Sequence, residues 1–341
     1  MAGKNHHYVP RFVQNGFVSR GSGNKRKTWV FRTDKAAFEP NLMGSNAENY
    51  FYGDAEDTFL DDLITAQESD YFVSLWQALC RQPAGPVLLD GIPELIAHFE
   101  ARTKHMRELL AAPVGESLKA LDTLVQNTEP LAARLHQWLI DAPELFAPKG
   151  VISPRAWVMG RTRRQRDEVI RTVIPNFQAT IASLTRTLDL SALLKNAHNS
   201  ALKKTLPTMA LANHYRGLPF RVVDYNTDTG RPLVLGDSVQ VFSIIGQPGY
   251  KPLLDKGNAI NQVVIPLTAS RALIGGSSTP ISVAELREAA GKCSRVQFIS
   301  SQNSPENREL AACIGEWANM VSQAELDQLQ DDMLKQLFCA G

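Results

Sequence analysis

At 341 residues the chain exceeds the usual size of a single domain, which leaves one large domain or two intimate lobes, 1–145 and 150–341. Its 44% hydrophobic and 21% charged residues exclude a disordered chain and a filament, and a net charge of +1 excludes a global field that would hold nucleic acid. Any such binding must come from local patches. Cys80, Cys293, Cys313 and Cys339 lack the close pairing of a zinc or redox motif and are expected as reduced thiols. No apolar run approaches the roughly 20 residues that span a bilayer, and the N-terminus lacks the apolar core of a signal peptide. A cytoplasmic protein without a membrane partner is expected.

The densest chemistry comes first. Between Asn5 and Phe12 stand His6, His7, Tyr8 and Arg11. Pro10 disfavours helix at Val9, so an extended run is predicted, with His7 and Val9 on one face and His6, Tyr8 and Pro10 on the other. Gly21 to Lys27 reads as a basic turn and Thr28 to Arg32 as a second strand, which together predict an N-terminal hairpin. Ser45-Asn46-Ala47-Glu48 has the spacing of a helix-capping box. From Asp57 to Gln82 apolar residues recur at helical period.

Pro93 to Ala112 is predicted as a helix with two unlike faces. Ile96, Phe99, Thr103, Met106 and Leu110 form the buried stripe, and Glu94, His98, Arg102 and His105 an adjacent polar one. Ala142 to Pro154 is the best internal linker. Beyond it, a helix from Pro154 to about Leu190 concentrates arginines, of which Arg161, Arg163 and Arg164 are candidate contacts to a phosphodiester backbone.

From Pro219 the apolar period changes to two. Residues 220–225 and 232–235 read as a hairpin across the turn Asn226 to Gly230, with further strands at 239–245, 261–266, 271–274 and 295–299. Ser282 and Ser304 open short helices by capping. Strands and helices are segregated, so the fold class is α+β, with an N-terminal hairpin, a helical middle and a C-terminal mixed or antiparallel sheet with flanking helices. Asp237 falls at a junction between strands, behind Gly236.

The opening His7-Tyr8-Val9-Pro10-Arg11-Phe12, with Asn15-Gly16-Phe17 after it, resembles that of the HYVP-type family called domain of unknown function 4238. Tyr50-Phe51-Tyr52, the acidic run from Asp61 to Glu68, and Arg102-Thr103 with Arg107 are similar to the family's next segments. Leu235 to Val239 and Pro266-Leu267-Thr268-Ala269 match later ones in part. Gly236 stands where the family has serine, the Asn-Pro is lost, and Ala269 replaces a second proline, so the chain resembles a divergent member. Members recur in bacteria among prophage-carried anti-phage genes. The resemblance implies a toxin-like or sensor role and no settled chemistry.

An enzymatic reading follows from these residue types: a phosphodiesterase, nuclease or nucleotide-processing effector. His6 or His7 would exchange the proton, Arg102 would stabilise the extra charge on phosphorus, and Asp237 would orient the histidine. Tyr8, Arg11, His98, His105, Arg107 and Thr268 are the candidate substrate contacts. No metal is required, and a divalent-metal variant would use His6 or His7, Asp237 and His98. RNA or a nucleotide is the partner this reading expects. Its alternative is a noncatalytic module that senses a phage-derived protein or a nucleotide, with the HYVP strand as a structural element.

Overall fold

A computed structural model describes residues 5–52, 57–103, 106–107, 115, 119–120, 122–123, 126–187, 189–225, 231–254, 257–318, 327–328, 331–332 and 335. The fold is α+β. Its strands are β1 (Asn5–His7), β2 (Trp29–Arg32), β3 (Ala47–Asn49), β4 (Gly85–Val87), β5 (Phe220–Asp224), β6 (Leu235–Gly236), β7 (Val241–Ile244), β8 (Ile260–Thr268), β9 (Arg271–Gly276) and β10 (Gln297–Ser300). They form a two-stranded sheet β1-β3, a three-stranded sheet β2-β10-β6 and a five-stranded sheet β4-β5-β9-β8-β7, with antiparallel pairing throughout. The helices that matter for the site are α1 (Arg11–Gln14), α2 (Phe59–Gln67), α3 (Val73–Arg81) and α4 (Ile92–Arg102). No described helix is long and apolar enough to cross a membrane.

The chain divides into two compact units, Met1–Leu109 with Leu193–Met320, and Leu110–Ala192 with Val321–Gly341. In the first, Leu75, Trp76 and Leu79 of α3 and Leu95, Ile96 and Phe99 of α4 share one core with Val264, Ile265, Leu273 and Ile274 of the large sheet. In the second, helices Thr128–Asp141, Pro154–Met159 and Arg163–Thr187 bury Leu135, Trp138, Ile170 and Phe177. The segment Ala142 to Pro154 lies inside this second unit. The predicted arginine-rich helix is interrupted at residues 160–162.

Two expected hairpins and one expected helix cap differ in the structure, the hairpins because distant partners outcompete local turns. The opening strand ends at His7, since Pro10 begins α1 at once, and β1 pairs with β3 rather than β2. Alternation stops with it: Tyr8, Val9 and Pro10 are all buried. The Gly21 to Lys27 turn closes only an Arg20–Lys27 bridge, while β2 pairs with β10. Ser45 caps no helix. Its hydroxyl bonds the Gln14 side chain at 2.6 Å, and Asn46 adopts φ 50°, which turns the chain into β3. Likewise β5 pairs with β4 and β9, and Leu235 joins β10, so 220–225 and 232–235 form no hairpin. The intervening turn, 226–230, lies outside the described residues. The caps at Ser282 and Ser304 form as the sequence predicts, each serine oxygen accepting the N–H three residues on.

Two glycines permit close approach. A Cβ on Gly236 would meet the Ala290 carbonyl and the Ser294 hydroxyl, each at 2.6 Å. One on Gly16 would meet the Leu267 carbonyl at 2.3 Å, and the Gly16 carbonyl accepts the Ala269 N–H at 3.0 Å. Gly16 therefore docks on the end of β8, beside the bulge between Pro266 and Thr268, where proline has no ladder N–H to give. Gly16→Ala should lower stability by about 1–3 kcal/mol, because backbone rather than a flexible side chain stands in the way. Urea denaturation measures it, and an unchanged midpoint would contradict the docking.

Candidate functional site

The site is built around α4, which the sequence casts as half solvated. Gly91 starts it in the left-handed region (φ 83°), and every residue from Leu95 to Arg102 is buried. On the polar stripe His98 and Arg102 are interior, 0% and 2% exposed, while Glu94 is half-buried and pairs with Arg216. A buried guanidinium needs partners on each edge. Arg102 has them. Nη1 ion-pairs with Glu68, Nη2 donates to the His7 carbonyl, and Nε donates to the Tyr52 hydroxyl at 3.0 Å. That hydroxyl donates in turn to the Arg102 carbonyl at 3.0 Å.

Glu68 reaches this point through a local irregularity. Residues Glu68–Phe72 form a π-helical turn between α2 and α3, with the Val73 N–H reaching the Glu68 carbonyl. The inserted residue shifts the helical phase, as such turns do at functional sites. His98 Nε2 lies 3.3 Å from Glu68 Oε1 and 3.2 Å from Arg102 Nη1, donating to the carboxylate in one tautomer and accepting from the guanidinium in the other, and Nδ1 is buried without a hydrogen-bond partner.

The two N-terminal histidines differ. His6 is buried and stacked on Tyr52, its Nδ1 accepting the Tyr52 N–H at 2.9 Å. That bond fixes the proton of the neutral ring on Nε2, which faces Asp61 Oδ1 at 3.8 Å. His7 is half-buried, and its Nδ1 has no partner. Burial first, then the Arg11 charge, with smaller contributions from Arg102 and His6, pulls its pKa down to about 4 against the opposing Ser45 backbone.

His6, His7, Arg11, Arg26 and Arg102 line a cleft of about 430 Å³ together with Asp61, Thr65, Glu68 and Ser69 of α2 and its π-helical turn. Arg102 is spent on Glu68, whereas Arg11 is exposed and Arg26 uses only its Nε, on the Gly23 carbonyl at 2.8 Å. The arrangement offers a neutral imidazole, a fixed imidazole N–H donor and two guanidiniums to an anion.

The cleft brings together four residues singled out by sequence, His6, His7, Arg11 and Arg102. Asp237 is not among its lining residues. Its carboxylate accepts the N–H groups of Arg295, Val296 and Gln297 at 2.8, 2.7 and 3.1 Å, which staples a turn and orients no histidine of the cleft. Tyr8 packs on Phe51 in the core. Thr268 accepts the Ser270 N–H beside Gly16. His98 sits on α4 against Glu68 without lining the cleft, and Arg107 stacks 3.5 Å over Phe51 while donating to His198 Nδ1 at 3.3 Å. His105 lies outside the described residues. In the second unit Arg163 and Arg164 are exposed, whereas Arg161 lies 3.5 Å over the Trp157 ring and donates to its carbonyl. The proposed metal set does not assemble: among the described residues no group of three or more His, Cys, Asp or Glu is placed to hold an ion. Cys80, Cys293 and Cys313 are free thiols.

Sequence reasoning passed over Asp61, Glu68 and Arg26 as site residues. Asp61, Thr65 and Glu68 recur at helical spacing, which was a legible signal. The π-helical turn that brings in Glu68 was not. Comparison of the chain with protein-family models, curated proteins and solved structures returns no match.

Two expectations follow for stability. Arg102→Ala should cost about 3–5 kcal/mol, since it strands a carboxylate and frees β1 from α4. A variant that melts like the parent would contradict this. The second concerns pH. Burial holds His7 and His198 at about 4 and His98 at about 3, below the ordinary 6.5. The folded protein keeps them neutral while the unfolded chain takes up protons below about 6.5, so stability is whole above that pH and is lost as pH falls toward 4. At pH 5 the loss is roughly 2 kcal/mol per histidine, read from urea midpoints at pH 7.5 and 5.

Proposed function

We propose that the cleft beside β1 receives the phosphoryl group of an RNA or a nucleotide and that His7 accepts a proton there, making the protein a phosphodiesterase or nucleotide-processing effector. His7 carries the reading: a neutral imidazole that lines the cleft together with Arg11 and Arg26, its buried Nδ1 without a hydrogen-bond partner. Guanidiniums fork onto phosphate oxygens with charge-assisted hydrogen bonds. A base with a pKa of about 4 is weak, but a phosphate anion held beside it raises that value toward neutrality, where proton transfer is most effective. Binding and activation of the base are then one event. Arg102 in this reading is a positioning residue that acts through the His7 carbonyl, and His6 is a fixed N–H donor. The resemblance to the HYVP-type family fits a bacterial, cytoplasmic, anti-phage setting. Complete burial of Val9 and near-complete burial of Tyr8 favour the second reading, a noncatalytic sensor that binds a nucleotide in the same cleft without turnover.

The test is turnover of RNA and nucleotides by purified protein, with and without divalent metal. His7→Ala should lower the rate by roughly 10²–10⁴-fold, and Arg11→Ala should raise KM, both without loss of folding. For the free protein kcat/KM should rise with pH near 4 and be level from 6 to 8, while kcat should rise at a higher pH. Expression should slow host growth, and His7→Ala should relieve it. Nucleotide binding that depends on Arg11 with no turnover would replace the enzyme with the sensor. Neither binding nor turnover would end both.

A further inference from the structure

We propose that a second anion site, separate from the β1 cleft, lies between the end of β2 and the helix Pro305–Ala311, and that it binds a phosphate monoester. A cavity of about 420 Å³ opens there, lined by Arg32, Lys35, Asn303 and Arg308 with Ala37 and Ala311 among its small walls. Two stretches of chain, 31–37 and 303–311, thus bring three cations to one space.

Their donors are largely unspent. Arg32 forks onto Asp34 through Nε and Nη2 at 2.7 and 2.9 Å, leaving Nη1 over. Arg308 uses Nε on the Asn303 side-chain Oδ1 at 3.0 Å, and Lys35 stands 4.1 Å from the Phe38 ring centroid. Neither Lys35 nor Arg308 pairs with a described carboxylate. Other cations of the unit do, as Arg20 with Glu39, Arg216 with Glu94 and Arg271 with Asp224 show. Like charges crowded around one cavity repel unless an anion sits among them, and one carboxylate for three cations leaves two charges to neutralise. A phosphate monoester carries about that charge near pH 7 with three terminal oxygens, whereas a phosphodiester carries one charge and two. The cavity lies in the range of small-molecule sites and has room beyond phosphate itself. The short alanine walls provide that room, and the Asn303 amide N–H groups face no described acceptor. An ester with a compact organic part fits these features.

The experiment uses the full chain carrying Arg11→Ala and Arg26→Ala, which disables the β1 cleft and makes the outcome independent of the function proposed for it. Inorganic phosphate, a nucleoside monophosphate and a short RNA without terminal phosphate are titrated by calorimetry, with amide NMR shifts followed at 31–37 and 303–311. The monophosphate should saturate one site and move those amides, binding more tightly than inorganic phosphate. Adding Lys35→Ala and Arg308→Ala should weaken it at least about tenfold, with melting unchanged because both side chains are exposed. Arg308→Lys should retain part of the affinity. Absence of saturable monophosphate binding, binding indifferent to the added variants, inorganic phosphate binding as tightly as the ester, or RNA binding as tightly as the monophosphate would each overturn the proposal.

Discussion

The burial of one guanidinium organises the N-terminal half of the first unit. Taking the charge of Arg102 out of water costs several kcal/mol, and it is offset only because a carboxylate, a hydroxyl and a backbone carbonyl meet it on three edges. Those partners belong to different parts of the chain: Glu68 to the π-helical turn, Tyr52 to the segment after β3, and His7 to β1. Each must be in place for the others to be tolerated. A three-residue strand paired with another three-residue strand would be marginal alone, and the Arg102 bond to its last carbonyl anchors it to the core helix. Placement of His7 on the cleft depends on this.

The later segments that resemble the HYVP family, at Asp237 and at Pro266 to Ala269, do not line the cleft and are joined to the opening one through hydrogen bonds and backbone contact. Gly16 docks on the end of β8. Asp237 holds the backbone of Arg295 to Gln297, the Gln297 side chain bonds Asn46 at 2.8 Å, and the Asn46 carbonyl accepts the Tyr8 N–H at 3.1 Å. Asp237 thus bears on the opening motif at second hand, as a staple of the strand beside it. A carboxylate with three amide donors has little left to give a histidine.

Much of the fold was legible and much of the site was not, for one physical reason: local signals survive in a single sequence and long-range ones do not. Caps at Ser282 and Ser304 and the period-two strands β5 and β7 to β10 are set within a few residues, and they stand close to where the pattern puts them, whereas of the strand expected at 232–235 only Leu235 is in one. The partner of β1 is set by Asn46 and by the burial of Tyr8 and Val9, which no turn motif encodes. Periodicity found α4 and singled out His98 and Arg102 on its polar stripe, but not their burial, because hydropathy counts a charge as solvated without knowing that Glu68 stands opposite. His6, His7 and Arg11 were singled out from residue type and density alone, and the structure places all three on the cleft. Asp61 and Glu68 were read as an acidic helix face, and only the tertiary structure turns that face toward the histidines.

Arginines in this chain fall into two kinds, and the distinction decides where a ligand can go. Arg102, Arg107, Arg161, Arg271 and Arg287 are committed to carboxylates, carbonyls or rings of their own unit, and an anion would have to displace those partners to use them. Such residues hold architecture, however basic the sequence around them looks. Arg11, Arg26, Arg32 and Arg308 keep donors open beside cavities. With a net charge of +1 the protein has almost no long-range field, so any recognition of an anion would rest on these few unspent donors at contact distance. Contact-range recognition of that kind favours a ligand whose phosphate enters a cavity over one that lies along a surface, which is why the two clefts, and not the arginine-rich helix of the second unit, carry the functional argument.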